Sequence, residues 1–254
     1  MFEHTVKSFL NHFGVVSGKP NRYYLTLLSR HFSKIPYENA TKIIKRKESL
    51  LTGSVPLRYP DELWRDYITY GSGGTCFSLC YFFIRILEFC GFPSYLALCD
   101  RRYGADTHCV IFSFCEGKKY LLDPGFLIEQ PILMQANSFE VQYHLGTILL
   151  NYQDFQKITF ETLINGVCKY RYCLKDIPVL EADFIQAWLK SFDFKGLDDV
   201  VVTRLINNKQ VYLHGKHIRD MTTSKSHTFE KGNNLIFKDL GIDFDLIKKA
   251  YSLT

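Results

Sequence analysis

The chain has 254 residues, 46% of them hydrophobic, and no low-complexity tract, so we expect a folded protein with a substantial core. Its formal net charge of +5 is modest and its basic residues are scattered, which gives little support to nucleic-acid binding. The longest apolar run is interrupted by Arg85 and Glu88, and the first residues lack a signal-peptide pattern. We therefore expect no nucleic-acid partner, no membrane association and a cytoplasmic location.

The eight cysteines are expected to be reduced in the cytoplasm. Their spacings, including Cys76 to Cys80 and Cys168 to Cys173, do not form the paired Cys-x-x-Cys sets of a structural zinc site. Zinc bound by Cys76, Cys80 and His108 is a weak alternative. We predict that no metal is bound.

The first seventy residues have a helical pattern. Residues 20–36 place apolar side chains at three-and-four spacing between two prolines, which is typical of an amphipathic helix. A further helical turn is expected over residues 61–67. The intervening segment 37–39, Tyr-Glu-Asn, is predicted to leave the helix as an ordered corner, and a solvated surface loop is the alternative.

A glycine-rich turn precedes the most apolar stretch of the chain. Gly71, Gly73 and Gly74 favour an irregular turn, and the run 76–90 that follows is long enough for a buried helix. Cys76 would then lie in the first helical turn, where unpaired N–H groups and the helix dipole favour the thiolate, the nucleophilic form of cysteine. The alternative is one more buried, inert thiol.

The pattern after residue 106 predicts a β hairpin whose turn is centred on residues 116–117. In that register His108 lies opposite Gly125, and Asp123 lies two residues along on the same face. His108 and Asp123 can then touch. With Cys76 they would form a Cys-His-Asp arrangement, in which the histidine takes a proton and the carboxylate fixes its tautomer. Taken alone, a strand histidine is more often a hydrogen-bonded core residue.

Three separated motifs resemble those of the arylamine N-acetyltransferases. They are the segment 31–39 (His-x-x-x-x-Pro-Tyr-Glu-Asn), the turn 73–77 (Gly-Gly-Thr-Cys-Phe) and the segment 122–126 (Leu-Asp-Pro-Gly-Phe). Together they span about the first half of the chain. Beyond residue 130 the similarity is one of length and general pattern.

The resemblance implies an acetyltransferase with Cys76, His108 and Asp123 as its catalytic triad. In this family the cysteine takes an acetyl group from acetyl-CoA and passes it to an arylamine, an aryl hydrazine or an N-hydroxyarylamine by a ping-pong mechanism. Acetyl-CoA is then a co-substrate, and the expected oligomeric state is a monomer or a weak homodimer.

The implied fold is α+β, with the three-part, cysteine-proteinase-like architecture of this family. We assign residues 1–92 to a helical bundle, 93–178 to an antiparallel β barrel and 179–254 to an α/β cap. The cap is expected to contain a helix, a hairpin with its turn at Asn207-Asn208, and a closing helix over 244–251. The strands of the barrel are predicted over residues 95–99, 107–114, 119–122, 131–134, 139–145, 148–152 and 169–174.

The resemblance also implies the residues that contact the substrates. The loop just before His108 would contact the coenzyme A tail, where backbone N–H groups and an arginine suit a pyrophosphate. An ordinary solvated hairpin loop is the alternative. The expected coenzyme A contacts are Arg102, Tyr103, Gly104 and Ala105, and the expected aromatic walls for a flat acceptor are Tyr37 and Phe126.

The sequence departs from the family near the nucleophile. Ser72 stands where the family usually has arginine, Ser78 where it has glutamate, and Cys80 where it has asparagine. The segment between Cys76 and His108 is also several residues short. These departures leave the triad intact and concern substrate choice and rate.

Because residue 72 is a serine and not the arginine that the family usually has there, Glu38 lacks the partner that the resemblance implies. In the family the corresponding glutamate pairs with the missing arginine, so Glu38 needs another cation. The candidates are Arg22, Arg30 and Arg65.

Two other classes of function remain open at this point. A transglutaminase-like enzyme or a thiol hydrolase shares the Cys, His, Asp order. A non-catalytic ligand-binding or redox-buffering protein is the second alternative, because of the departures around Cys76.

Overall fold

The computed structural model describes residues 2–194, 199–206, 209–223, 225–228 and 234–254. In these ranges two 3-10 turns, Pro124–Phe126 and Ser191–Asp193, accompany the α-helices. The helices are α1 (Glu3–His12), α2 (Arg22–Phe32), α3 (Ala40–Thr52), α4 (Pro60–Tyr70), α5 (Cys76–Phe89), α6 (Glu181–Lys190), α7 (Asn234–Leu240) and α8 (Phe244–Tyr251). Of the helices in the described ranges, none is both long and apolar enough to cross a membrane.

Helix α5 lies at the centre of the N-terminal part. Apart from Arg85 and the end of its last turn, it is buried on every side. Phe82 packs edge-on against Phe32 of α2, with ring centroids 5.5 Å apart, and Phe83 stacks on the same ring at 4.4 Å. A helix without a polar face must be enclosed by other elements, and α1, α2, α4 and the β sheet enclose this one.

The central part is an eight-stranded antiparallel sheet that is nearly closed into a barrel. Its order is β5-β4-β3-β2-β9-β8-β7-β6, so the two short edges belong to β5 and β6. The strands are β2 (Ser94–Arg101), β3 (Gly104–Cys115), β4 (Lys118–Leu122), β5 (Ile132–Leu133), β6 (Phe139–Tyr143), β7 (Gly146–Tyr152), β8 (Lys157–Ile164) and β9 (Val167–Lys175).

Each of the seven predicted barrel strands corresponds to an observed strand. The prediction missed β8, which pairs with both β7 and β9. In β8 the side chains of Ile158 and Phe160 point into the barrel core, and polar residues alternate with them. This period-two pattern was readable from the sequence.

The third part combines a small sheet with helices α6 to α8. The sheet has the order β1-β10-β11-β12-β13, and its first strand comes from the N-terminal half, where Tyr37 pairs with Thr203. The strands are β1 (Tyr37–Glu38), β10 (Val201–Ile206), β11 (Lys209–His214), β12 (His217–Asp220) and β13 (Ser226–Thr228). The predicted turn at Asn207-Asn208 lies outside the described residues. The three-part α+β fold is confirmed, and the domain boundaries stay a prediction.

The third part is tied to the start of the nucleophile turn, defined here as residues 71–75. Arg204 Nη1 donates to the carbonyl oxygens of Gly71 at 3.1 Å, Leu240 at 2.8 Å and Gly241 at 2.8 Å. Gly71 ends α4 with a φ of +64°, and a Cβ at this residue would lie 1.9 Å from the Gly241 carbonyl oxygen. Only glycine permits both the left-handed conformation and this close approach.

We expect Gly71→Ala to lower the free energy of unfolding far more than Gly53→Ala. Gly53 also ends a helix in the left-handed conformation, with nothing within 4 Å of an added Cβ. Alanine should cost about 1 kcal/mol at Gly53 through backbone strain, and at least about 2 kcal/mol more at Gly71 through the clash with Gly241. Urea unfolding followed by Trp64 and Trp188 fluorescence measures both. Equal losses would contradict the tight contact with Gly241.

Candidate active site

The nucleophile turn delivers Cys76 to the first position of α5, as predicted. The corner at residues 37–39 holds the turn from one side: Glu38 N donates to the Gly74 carbonyl at 3.0 Å, and Gly74 N donates to the Pro36 carbonyl at 3.3 Å. Glu38 is fully buried, so this corner is not a solvated loop. A Cβ on Gly73 would lie 1.9 Å from the Pro36 carbonyl oxygen, which explains why the turn needs glycine.

The hairpin of β3 and β4 has the predicted register. Ile111 pairs with Leu122, which places His108 opposite Gly125. His108 Nε2 lies 3.0 Å from Asp123 Oδ2, and both side chains are buried. The structure therefore brings these two residues into the contact that the sequence pattern predicted.

Two further groups hold the Asp123 carboxylate. The Tyr172 hydroxyl donates to Oδ2 at 2.7 Å, and the Phe126 backbone N–H donates to Oδ1 at 3.1 Å. The Tyr172 ring lies 4.6 Å from the His108 ring and stacks on Phe160. Burial, followed by the charge of Asp123, raises the pKa of Tyr172 well above its usual value, so the hydroxyl keeps its proton and acts as the donor. Sequence reasoning missed Tyr172, because an aromatic residue in a strand carries no signal beyond core packing.

Gly125 lies where the nucleophile meets the hairpin. A Cβ at this position would lie 2.9 Å from Cys76 Cβ, 3.0 Å from His108 Cε1 and 3.2 Å from Asp123 Oδ1. All three predicted catalytic residues thus surround one glycine. No side chain fits there without moving at least one of them.

The surroundings of Cys76 favour its thiolate. A hydrogen bond from the Cys109 thiol and then the charge of His108 lower the pKa of Cys76 well below its ordinary value, although burial opposes this. For His108, burial is the largest single influence and favours the neutral ring, but the charges of Asp123 and Cys76 and the hydrogen bond to Asp123 together outweigh it and raise the pKa. Burial raises the pKa of Cys80 to about 11 and that of Cys109 well above its ordinary value. Cys76 is therefore the activated thiol of this cluster.

Arg101 makes a contact that the sequence analysis did not predict. Its Nη2 lies 3.0 Å from His108 Nδ1, and its Nη1 donates to the Tyr103 hydroxyl at 3.1 Å. A guanidinium only donates hydrogen bonds, so His108 accepts at Nδ1 and donates from Nε2 to Asp123 in this arrangement. A permanent positive charge therefore lies at the ring edge that faces Cys76.

A cleft of about 620 Å³ opens at Cys76. Tyr37, one of the two predicted aromatic walls, lines it, and so does Tyr103 from the turn between β2 and β3. Phe126, the other predicted wall, packs edge-on against His108 with ring centroids 5.5 Å apart. It is not among the described residues that line this cleft, and its role as an acceptor wall stays a prediction.

The predicted coenzyme A contacts lie at the turn between β2 and β3. Of the four, Tyr103 lines the cleft. The Arg102 guanidinium lies 5.4 Å from the centre of the Tyr170 ring. Gly104 and Ala105 begin β3, where the Gly104 carbonyl accepts from the Thr107 hydroxyl at 2.8 Å. Their roles in binding stay a prediction.

The cation beside Glu38 is Arg58, so all three of our candidates, Arg22, Arg30 and Arg65, were wrong. Arg58 Nη1 lies 3.7 Å from Glu38 Oε1 and donates to the Gly73 carbonyl at 2.6 Å, and its Nη2 donates to Asp66 Oδ2 at 2.8 Å. Arg58 and Glu38 are both buried. The guanidinium thus supports the nucleophile turn from outside the motif, and no local pattern in the sequence points to it.

Groups of three or more His, Cys, Asp or Glu side chains arranged to hold a metal ion do not occur among the described residues. Cys80 Sγ, which the zinc alternative required, instead donates to the Cys109 carbonyl at 3.3 Å. The groups that lower the pKa of Cys76 are the Cys109 thiol, the His108 imidazole and the Arg101 guanidinium. Such a set suits an anionic nucleophile better than a divalent cation.

Comparisons with known proteins agree with this geometry. A family model described as N-acetyltransferase matches residues 23–240. The fold is similar to the arylamine N-acetyltransferases of Mycobacterium smegmatis (TM-score 0.78, 18% identity, 96% of each chain covered) and Salmonella typhimurium (0.79, 16%, 98% of each). A Bacillus cereus arylamine N-acetyltransferase described as having a Cys-His-Glu catalytic triad aligns with a TM-score of 0.73 at 14% identity, over 94% of this chain and 98% of that one. No curated protein matches the sequence significantly.

We expect Arg58→Ala to lower the free energy of unfolding by about 3 kcal/mol, because it leaves the buried Glu38 carboxylate without its cation. Alkylation of Cys76 should also slow, since the Gly73 carbonyl loses its donor. Arg65→Ala is the matched control: Arg65 is exposed and, among the described residues, its side chain pairs only with Asp66, so its loss should cost less than about 1 kcal/mol. Urea unfolding and iodoacetamide labelling measure the two effects. A loss no larger than that of the control would show that Arg58 does not support the turn.

Iodoacetamide should label Cys76 rapidly at pH 6. Its lowered pKa means that the thiolate persists as the pH falls, whereas the raised pKa values of Cys80 and Cys109 keep those thiols protonated until the pH is strongly alkaline. Peptide mapping after brief labelling at pH 6 and pH 8 should give similar rates at Cys76 and a rate at pH 6 well above that of glutathione. Labelling of Cys80 or Cys109 at the same rate would contradict the assignment of the activated thiolate to Cys76.

Proposed function

The chain belongs to the arylamine N-acetyltransferase family, and from this we propose that it transfers an acetyl group from acetyl-CoA to the nitrogen of an arylamine, an aryl hydrazine or an N-hydroxyarylamine. One observation carries the proposal. An activated, buried thiol at a helix N-terminus lies beside a hydrogen-bonded His108–Asp123 pair and opens onto a cleft of small-molecule size.

The first half-reaction acylates Cys76. The thiolate attacks the thioester carbonyl of acetyl-CoA, the new C–S bond forms, and the bond to coenzyme A breaks. His108 takes the proton of the Cys76 thiol as the thiolate forms, and the coenzyme A thiolate leaves with that proton, which returns His108 to its neutral form. Asp123 keeps the ring oriented and stabilises its charged form, and Tyr172 and the Phe126 N–H hold that carboxylate in place.

The second half-reaction returns the enzyme to its starting state. The amine nitrogen attacks the acetyl thioester, Cys76 leaves as a thiolate, and the proton of the amine passes to His108. The guanidinium of Arg101 cannot accept a proton, so His108 is the group at this edge that can. The structurally similar Bacillus cereus enzyme is described with a glutamate as the third residue of its triad, and Asp123 is the corresponding carboxylate that we propose for this chain.

The tetrahedral intermediate needs hydrogen-bond donors for its oxyanion. We assign this role to the Cys76 backbone N–H, which has no partner within its own helix at the first position, and to an N–H near Thr107. Tyr37 would face a flat acceptor, and the turn at residues 102–105 would contact coenzyme A. The eight cysteines, all free, suit a reducing compartment such as the cytoplasm.

The test is to mix the protein with acetyl-CoA and no acceptor. A transferase should release a burst of about one coenzyme A per chain, keep one acetyl group, and then hydrolyse it only slowly. Intact mass and thiol release measure both quantities. Addition of an arylamine or aryl hydrazine should then discharge the acetyl group and release further coenzyme A.

Two variants provide the controls. Cys76→Ser should abolish the burst, and Cys168→Ser, which changes an exposed cysteine on a barrel strand, should leave it unchanged. Continuous fast release without an acceptor would point to a thiol hydrolase instead. Neither release nor an adduct with any acyl-CoA would point to a non-catalytic protein.

A further inference from the structure

Lys42 is a buried cation in the same cleft as Cys76. Its side chain is 7% exposed, and Nζ donates to the carbonyl and hydroxyl oxygens of Ser191 at 2.8 and 2.6 Å. Nζ also lies 4.5 Å from the centre of the Phe192 ring. These partners are neutral. An ammonium group has three N–H donors, so one donor remains for a ligand in the cleft.

Arg101 is the second cation of the cleft. Its Nη atoms contact His108 and Tyr103, which are neutral in this arrangement, and its buried Nε has no hydrogen-bond partner in the described part of the chain. Asp193 lines the cleft too, but it forms no ion pair with either cation. Within the described ranges, neither Lys42 nor Arg101 has a carboxylate within 4 Å.

Buried cations are rare without a compensating anion. Here the anion is the Cys76 thiolate. Burial lowers the pKa of Lys42 to about 8, and the charge of Cys76 is the largest influence that opposes the fall. For Arg101 burial, the largest single influence, also favours the neutral form, but the charge of Cys76 and the hydroxyls of Tyr103 and Tyr37 together outweigh it and raise the pKa. Both cations therefore respond to the charge on Sγ.

Acylation of Cys76 removes that charge. The thiolate becomes a neutral thioester, and the two cations remain in the cleft with no ion-pair partner among the described residues, since the Asp193 carboxylate lies more than 4 Å from both. An acyl group that carries its own carboxylate would replace the lost charge close to where it was. An acetyl group would not.

We propose that the cleft is selective for coenzyme A thioesters of short dicarboxylic acids, such as malonyl-CoA or succinyl-CoA, and that Lys42 and Arg101 bind the free carboxylate of the acyl group. This inference rests on the proposed transferase function and changes only the acyl group that is transferred. The thiolate forms a C–S bond to the malonyl or succinyl carbonyl, the bond to coenzyme A breaks, and coenzyme A leaves with the proton of His108. The amine then displaces Cys76 as before.

The test compares three donors by the rate of adduct formation on Cys76. The kcat/KM for acylation should be at least about ten-fold higher with malonyl-CoA or succinyl-CoA than with acetyl-CoA. The dicarboxylic acyl groups form charge-assisted hydrogen bonds to the two cations, and the acetyl group forms none. In Lys42→Met and in Arg101→Gln this ratio should fall to about one. The readout is the ratio of kcat/KM between donors and not the individual rates. Arg101 contacts His108, so the loss of Arg101 will change the rate with every donor.

Two matched variants separate recognition of the carboxylate from a structural effect. Lys42→Arg retains the charge and should keep much of the ratio. Lys45→Met removes a lysine from the same helix whose Nζ pairs with Glu62 outside the cleft, and it should leave the ratio unchanged. If the two cations bind the phosphates of coenzyme A instead, the Lys42 and Arg101 variants will lower kcat/KM equally for all three donors. The ratio between donors will then stay constant, which would overturn the inference.

A second measurement needs no coenzyme A. Iodoacetate and iodoacetamide differ in charge but hardly in size, so their rates of alkylation of Cys76 report on carboxylate recognition. Relative to glutathione, Cys76 should favour iodoacetate by about ten-fold, and Lys42→Met and Arg101→Gln should remove that preference.

The outcomes are distinct. If acetyl-CoA acylates Cys76 at least as fast as the dicarboxylic donors, the inference is wrong and the transferase proposal stands. If no donor gives an adduct, the transferase proposal fails and this inference fails with it. A preference for acceptors that carry a carboxylate, with no preference among the donors, would assign the two cations to the amine and would also overturn the inference.

Discussion

The nucleophile turn depends on one buried guanidinium. Arg58 holds the carbonyl oxygen of Gly73, three residues before Cys76, and its charge is balanced by Glu38 and Asp66. Gly73 can carry no side chain of its own, because its close approach to the Pro36 carbonyl leaves no room for a Cβ. Its carbonyl oxygen is held by Arg58, which lies outside the turn. A buried pair of this kind gives little net stability, but the loss of either partner leaves an uncompensated charge, so it specifies one geometry.

The elements that the sequence predicted well are local. His108 and Asp123 are close in the chain, so a short turn of known type and the alternation of a strand determine their contact. The position of Cys76 at a helix N-terminus follows in the same way from glycines followed by an unbroken apolar run. The pattern of elements alone was compatible with an open antiparallel sheet or with a small barrel. The three-part architecture was supplied by the resemblance to a family.

The parts that could not be predicted are contacts between distant segments. Arg58 reaches the turn from the loop before α4, Tyr172 reaches Asp123 from the last barrel strand, and Lys42 meets Ser191 across most of the chain. A guanidinium or an ammonium group is compatible with many surface positions, so its residue type carries no information about burial. Strand β1 was missed for a different reason, since two residues are too few to show any period.

The positive charge of the cleft outlasts each proton transfer. In the proposed mechanism His108 serves as counterion and as proton carrier, and it stops being a cation when it gives its proton to the departing thiolate. Arg101 contacts the same ring edge when His108 is neutral, and it cannot lose its proton, so the cleft keeps a cation after His108 has given its proton away. This also limits the effect of the departures from the family. Ser72 and Ser78 remove charges from the nucleophile motif, but Arg58 keeps a cation beneath the turn, and Arg101 and Lys42 provide charge on the side where the substrates arrive. If the proposed roles of Lys42 and Arg101 hold, the selectivity for the acyl group is determined by residues outside the motif that identifies the family.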